Sequence, residues 1–369
     1  MAITEPTARR APWERSEFRF WIVGISVLAL LAAVFSMVAI ATSRPRGDKV
    51  VGAAGAAASS SAAASSFPGQ KIDFSAEPAA DFEARDPKAP VTPTGTVHKI
   101  EMHATEKLME IAPGVKQTMW TFDDMVPGPV LRGKVGDTFE ITLINDGTLG
   151  HSIDFHASKV AWNVEMRTIE PGKELLYSFV ATNAGIYMYH CGTPPVLHHI
   201  GTGMYGAIII DPPDLAPVDH EFVMVQSELY TATKGGVADL NKMLAEKWDA
   251  VVFNGYVNQY LHRPIRVEPN QRIRIWVLDD GPSENSSFHV IGTIFDTTYK
   301  EGAYLLRPGG QGGSQTLDLQ PAQGGFVEFD FAVPGLYPFV THKFSSASIG
   351  AVGVFQAGEV ETPEGGAGH

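Results

Sequence analysis

Cysteine is nearly missing from this sequence: one thiol, Cys191, stands in 369 residues. A lone cysteine closes no internal disulfide, so cysteine usage gives no redox compartment, and the value of Cys191 is chemical. Positive charge is scarce as well: 28 Lys and Arg face 41 Asp and Glu, a formal net charge of -13. Such an acidic body argues against nucleic acid as a partner. Long apolar runs are also lacking, with one exception near the N-terminus.

That exception runs from Trp21 to Ala41, 21 residues without charge or proline. About 20 apolar residues cross a bilayer as a helix, and Phe20 and Trp21 stand at its edge like interfacial anchors. A cleaved signal peptide, cut after Ala39-Ile40-Ala41, is the competing reading, but such apolar cores span only about 7 to 15 residues. The expectation is a transmembrane helix over residues 21–42, with residues 1–20 on the cytoplasmic side. Arg9, Arg10, Arg15 and Arg19 precede the span and Arg44, Arg46 and Lys49 follow it, a slight lean to that orientation. The folded body would then lie in the periplasm, tethered to the inner membrane by a single pass. Residues 43–95 read as a disordered linker, because Gly52–Ser66 is almost entirely Ala, Ser and Gly and five prolines follow from Pro68 to Pro93. Such a stretch buries too little apolar surface to offset its ordering entropy. Residues 358–369 read as a disordered tail.

Between these flanks the chain is all-β. Short alternating strands at Thr138–Leu143, Leu175–Val180, Ala207–Ile210, Arg272–Val277 and Val327–Phe331 are cut by Pro and Gly turns, the pattern of sandwiches or barrels. A helix is expected only near Gly236–Trp248. The two halves resemble each other. Val135–Asp146 with His151 and His156 beyond parallels Glu268–Asp280 with His289 beyond, and Ala184-Gly-Ile-Tyr187 before His190 parallels Pro334-Gly-Leu-Tyr337 before His342. Two tandem Greek-key sandwiches are expected, 96–213 and 214–357, joined near Pro212–Pro217.

The one thiol sits in a dense stretch: His190-Cys191 is followed by His198-His199 and then by Met204. Cysteine, two imidazoles and a weak axial methionine form the set that suits electron-transfer copper. Neighbouring side chains on a strand point to opposite faces. His190 therefore cannot share a metal with Cys191. In His151-Ser-Ile-Asp154-Phe-His156 the same parity sets His151 against Asp154 and His156. The economical arrangement puts His151, Cys191, His199 and Met204 inside the first sandwich, and His156, His190 and Asp154 on its outside. His198 is the alternative to His199. Two outward histidines make an incomplete metal site, since catalytic sites usually have three protein ligands and an open position. The repeat offers His342 and His289 as candidates, and on a surface the missing ligand can come from another subunit. Asp154, sharing a face with those histidines, is a candidate proton donor.

On these residues the chain resembles the copper-containing nitrite reductases of the two-domain cupredoxin type, over about Thr96–Gln356. The family's His-x-x-Asp-x-His is similar to His151–His156, and its His-Cys followed by His-x4-Met is similar to His190-Cys191 and His199–Met204. The five-residue step to Met204 selects His199 over His198. The resemblance implies two tandem cupredoxin-like domains and two coppers per chain. Type 1 copper would sit on His151, Cys191, His199 and Met204. Type 2 copper would sit on His156, His190 and His342, between subunits of a homotrimer. It further implies that His289-Val-Ile291 supplies a catalytic histidine and an apolar pocket residue. Thr316, 26 residues before His342, resembles the threonine that helps orient the histidine, and Gln315 stands where the family has glutamate.

The implied activity is one-electron reduction of nitrite to nitric oxide and water, fed by a small redox protein or a membrane quinol system. Two other functions fit parts of the pattern. A laccase-like oxidase reducing oxygen resembles this fold but uses repeated His-x-His pairs, and the sequence has none. A membrane-tethered copper electron carrier would need only the Cys191 centre.

Overall fold

The computed structural model describes residues 69–360. The expected transmembrane helix, the first part of the expected linker and the end of the tail lie outside the described residues. Among those described, no helix is long and apolar enough to cross a membrane.

Strict alternation builds the sheets. In β4 (Thr138–Asn145) the side chains of Phe139, Ile141, Leu143 and Asn145 are buried and those between them are half-exposed, the period of a strand with one face in a core. β4 lies in a sheet of order β2-β1-β4-β6 with β1 (Val97–Ala112), β2 (Val115–Phe122) and β6 (Glu174–Val180). A second sheet, β3-β8-β7-β5, contains β3 (Leu131–Lys134), β5 (Asp154–Phe155), β7 (Gly185–His190) and β8 (Tyr205–Asp211). Phe139, Ile141, Leu143, Tyr177 and Phe179 from one sheet meet Phe155, Tyr189, Ile208 and Ile210 from the other in a single core. These two sheets are the first sandwich.

The second half repeats this order with three added strands. β9 (His220–Leu229), β10 (Ala250–Phe253), β12 (Ile273–Asp279), β14 (Thr297–Lys300), β15 (Ala303–Leu306) and β17 (Gly324–Phe329) form the sheet β10-β9-β12-β17-β14-β15. β11 (Ile265–Val267), β13 (Ser286–Val290), β16 (Leu317–Leu319), β18 (Gly335–Thr341) and β19 (Val352–Ala357) form β11-β19-β18-β13-β16. The additions are β14, β15 and β16. The parallel pairing of β1 with β4 recurs as β9 with β12, and that of β3 with β8 as β11 with β19. The parallel read between Val135–Asp146 and Glu268–Asp280 is therefore a parallel of strands β4 and β12.

The sandwiches meet face to face. Ile186, Met188, Tyr205, Ala207 and Ile209 on the outer face of β7 and β8 share a buried layer with Val223, Val225, Trp276, Leu278 and Phe326. At its edge Arg132 and Arg274 converge on Glu221, at 2.7 Å and 3.2 Å. The connection between the sandwiches, from Asp211 to His220, includes the proline-rich stretch Pro212–Pro217.

Two features depart from the sequence reading. Residues 69–95, within the expected linker, lie along the body. Gln70 N–H donates to Ala232 O at 2.9 Å, Arg85 Nη2 to Gly128 O at 2.9 Å, Ala89 N–H to Glu221 O at 2.9 Å, and Val223 N–H to Pro87 O at 2.7 Å. Ile72, Phe74 and Ala89 pack on the layer between the sandwiches. Proline without periodicity reads as a tether, yet such a segment docks when its few apolar side chains find a groove. The helical expectation near Gly236–Trp248 corresponds to α3 (Leu240–Leu244). Among the described residues four further short helices are present: α1 (Trp162–Glu165), α2 (Val196–Gly201), α4 (Gln259–His262) and α5 (Phe344–Ala347). They are one turn or little more, too short to show a helical period in sequence.

Candidate metal centres

Parity at the end of β7 decides where the chemistry lies. Tyr189 and Cys191 are fully buried, while His190 between them is half-exposed. β5 pairs with β7 so that Asp154 stands opposite His190. Two clusters result, one on each side of this sheet, and they are the two groups of potential metal ligands among the described residues.

The inner cluster is His151, Cys191 and His199, whose ligand atoms all lie within 4.8 Å of one another. α2 carries both His198 and His199, and its first turn is set by Pro195. His199 enters the cluster; His198 turns away and its Nε2 lies 2.9 Å from Ala238 O. The family spacing to Met204 selects His199 over His198, and α2 likewise places only His199 in the pocket. Met204 is fully buried. Its N–H donates to His199 O at 3.1 Å and its carbonyl accepts from Cys191 N–H at 3.1 Å, so the main chain ties it to both.

The pocket is short of partners. One nitrogen of each histidine is occupied: His151 Nε2 faces Glu106 Oε1 at 3.2 Å and His199 Nδ1 faces Pro195 O at 3.1 Å. The remaining nitrogens, His151 Nδ1 and His199 Nε2, are buried with no hydrogen-bond partner. An orphaned buried polar atom costs about 1–3 kcal/mol. Burial pushes both histidines below their ordinary values, with Glu106 opposing this at His151, and the same burial pushes the Cys191 thiol up. Neutral imidazoles that each turn a lone pair toward a buried sulfur are a set of metal ligands, and soft sulfur with two nitrogens suits copper.

The outer cluster is Asp154, His156 and His190, again with ligand atoms within 4.8 Å. The two imidazoles meet at 3.0 Å between Nε2 atoms, and Asp154 Oδ2 is 3.8 Å from His190 Nε2. His190 Nδ1 is fixed 3.0 Å from Cys191 O. Desolvation, then the neighbouring His190, lowers the His156 value, against Asp154, which raises it. The His156 ring too is pushed toward the neutral form that binds metal.

A search for relatives gives consistent neighbours. The copper-containing nitrite reductase of Neisseria meningitidis serogroup A is 37% identical over 278 residues, 72% of this chain and 71% of that protein. The enzyme of the same name from Neisseria gonorrhoeae is also 37% identical over 278 residues, covering 72% and 70%. The chain belongs to the copper-containing nitrite reductases. Among solved structures, copper nitrite reductase from Nitrosomonas europaea matches with a TM-score of 0.65 and 35% identity, over 74% of this chain and 98% of that one. A profile of the multicopper oxidase family matches residues 103–215, the first sandwich. Membership makes the chain an oxidoreductase that uses copper.

In this reductase the second-half residues form their own group, apart from the outer cluster. His289 and His342 have ring centroids 5.5 Å apart, and His342 is exposed beside an open cleft lined by Asn285, Ser287, Thr316 and Lys343. Within one chain His342 is not among the ligands around His156 and His190. Strand register also refines the repeat. His289 pairs with Val340, the counterpart of His190, so His289 stands where Asp154 stands in the first half. His342 lies two residues beyond the counterpart of His190, just past the end of β18. Ile291 follows β13 and is 39% exposed. The group that holds His289 Nδ1 is the main-chain carbonyl of Gln315. Thr316, expected to orient a histidine, has its carbonyl engaged by Ser314 Oγ at 2.9 Å. Because the contact to His289 is made by the main chain, it does not depend on the Gln315 side chain.

Two residues at the inner centre were not singled out in sequence. Glu106 on β1 faces His151, and Trp120 on β2 covers the imidazoles. Neither belongs to a local motif; both reach the centre only because β1 and β2 pair across the sheet.

Proposed function

We propose that the inner cluster, His151, Cys191 and His199 with Met204, holds a type 1 copper. The outer pair, His156 and His190, with the partner subunit's His342, would hold a type 2 copper between subunits of a homotrimer. One observation carries this reading: two ligand clusters on opposite faces of one sheet, joined by the single peptide bond between His190 and Cys191. Bound copper supplies one-electron transfer at the inner site and a Lewis-acid seat for nitrite at the outer one.

The chain's own groups do the rest. Nitrite takes one electron and two protons, one N–O bond breaks, and nitric oxide and water leave. The electron crosses the covalent Cys191–His190 link, the shortest path between the clusters. Asp154, on the face of His156 and His190, donates one proton, and His289 of the partner subunit, brought in beside the partner's His342, donates the other. Hydrogen bonding at His289 Nδ1 leaves Nε2 to carry that proton. Ile291, two residues on, walls the substrate pocket with apolar surface. The apolar run Trp21–Ala41 supports a single-pass tether to the inner membrane with the copper sites in the periplasm, where a small redox protein or a quinol system delivers electrons.

Copper-depleted protein should regain nitrite-dependent nitric oxide production when copper is restored, with two spectroscopically distinct coppers per chain. His156→Ala should keep the blue absorption and lose turnover by more than about 100-fold. Retained turnover in that variant would remove the outer site from catalysis, and a single copper per chain would leave only an electron carrier; either result overturns the reading.

A further inference from the structure

Three imidazoles of the first sandwich share one aromatic neighbour. The Trp120 ring lies 4.6 Å from that of His199, 4.7 Å from that of His198 and 6.2 Å from that of His151. It is 6% exposed. Main chain, not side-chain packing alone, puts it there. Trp120 N–H donates to Thr202 O at 3.2 Å, three residues after His199. Gly203 permits that approach: its φ is +123°, and a Cβ there would meet Trp120 O at 2.9 Å and Val126 Cγ2 at 2.7 Å. His198 also packs against the indole, and its Nε2, 2.9 Å from Ala238 O, ties it to the second half of the chain.

We propose that Trp120 is the positioning residue of the inner centre: in contact with both His198 and His199, it fixes the ring of His199 and closes the pocket to water. The inference rests on the reading of that pocket as a type 1 copper site. The shell around a metal sets solvent access and local dielectric, and through them reduction potential and ligand orientation. A large indole packed on a ligand ring does both at once. An open pocket would hydrate the centre and favour its more highly charged, oxidised state, so the potential should fall when the indole is removed.

Trp120→Ala and Trp120→Phe test this in the copper-loaded full chain. The midpoint potential followed through the blue band should shift downward in Trp120→Ala and be restored for the most part by the aromatic ring of Trp120→Phe. Titrating copper back into depleted protein gives a readout independent of turnover. Wild type should lose tryptophan fluorescence as copper binds, Trp120→Phe should lose a smaller fraction of its own, and Trp120→Ala should bind copper several-fold more weakly. If Trp120→Ala folds but keeps the wild-type potential, band and affinity, Trp120 is packing and the proposal fails. If Trp120→Ala does not fold, Trp120→Phe and Trp120→Leu decide it: Leu, apolar but unstacked, must show the lower potential that Phe does not. Absence of any blue band in wild type would instead sink the type 1 copper reading beneath it.

Discussion

Cys191 in the first sandwich and Thr341 in the second occupy one place, each six residues beyond the glycine that opens its strand, Gly185 or Gly335. Ser152 N–H donates to Cys191 Sγ at 3.4 Å, and Ser287 N–H donates to Thr341 Oγ1 at 3.0 Å. Cys191 N–H donates to Met204 O and Thr341 N–H to Ala351 O, both at 3.1 Å. Before each of those serines stands His151 in one half and Ser286 in the other. Glu106 and Glu228 correspond too, each two residues beyond a bridging pair, Ala104 with Asn145 and Gln226 with Asp279. The same scaffold thus holds thiol, imidazole and thioether in one half and hydroxyls and a methyl in the other. The fold offers the pocket twice, and a handful of side chains decides whether it can take copper.

Cys191→Thr makes the first pocket resemble the second and should have the largest effect. The hydroxyl can accept from Ser152 N–H as Thr341 does from Ser287, so the sandwich should fold. Without the thiolate the blue absorption should vanish and nitrite reduction should fall to background, while copper bound by His156 and His190 remains countable. A Cys191→Thr protein that still turns over would separate the activity from the inner centre. Next in size is Asp154→Asn, which leaves shape but removes the proton. Its counterpart His289 keeps the other donor, so turnover should drop about 10²- to 10⁴-fold with the blue band intact. A loss below about tenfold would remove Asp154 from proton delivery.

Much of this comparison was legible in the sequence because the spacing carried physics. Strand parity placed His190 and Cys191 on opposite faces, and the paired motifs around Gly185 and Gly335 announced the repeat. What was not legible depends on tertiary approach. Residues 69–95 dock through main-chain hydrogen bonds that leave no pattern. Trp120 and Glu106 reach the centre across strand pairing. The residues' own spacing left His198 open against His199 until the family pattern was applied; the rotation of a six-residue helix makes the same choice. The Gln315 contact is made by backbone, which no side-chain motif encodes.

The smallest expected effect concerns the counterparts Glu106 and Glu228. Glu106 accepts from Thr148 N–H at 3.0 Å and faces His151. Glu228 is 2% exposed, accepts through Oε1 from Ser283 N–H at 2.9 Å, and leaves Oε2 buried without a partner. Burial pushes Glu228 up from its ordinary 4.5 to about 7, and main-chain donors oppose this only in part. The folded protein therefore holds a proton that the unfolded chain releases near 4.5. Its contribution to stability is fully present below that value and is lost as pH rises through about 7. Linkage at 1.36 kcal/mol per unit makes this loss on the order of 3 kcal/mol. Asp279 and Asp280, also raised by burial, act with the same sign. Glu228→Gln is neutral at every pH, so it should reduce, without abolishing, the fall in urea unfolding free energy between pH 5 and pH 8. An equally steep fall in the variant would mean that Glu228 is already ionised in the folded second sandwich, and that its pocket, like that of the first, finds a partner for the charge.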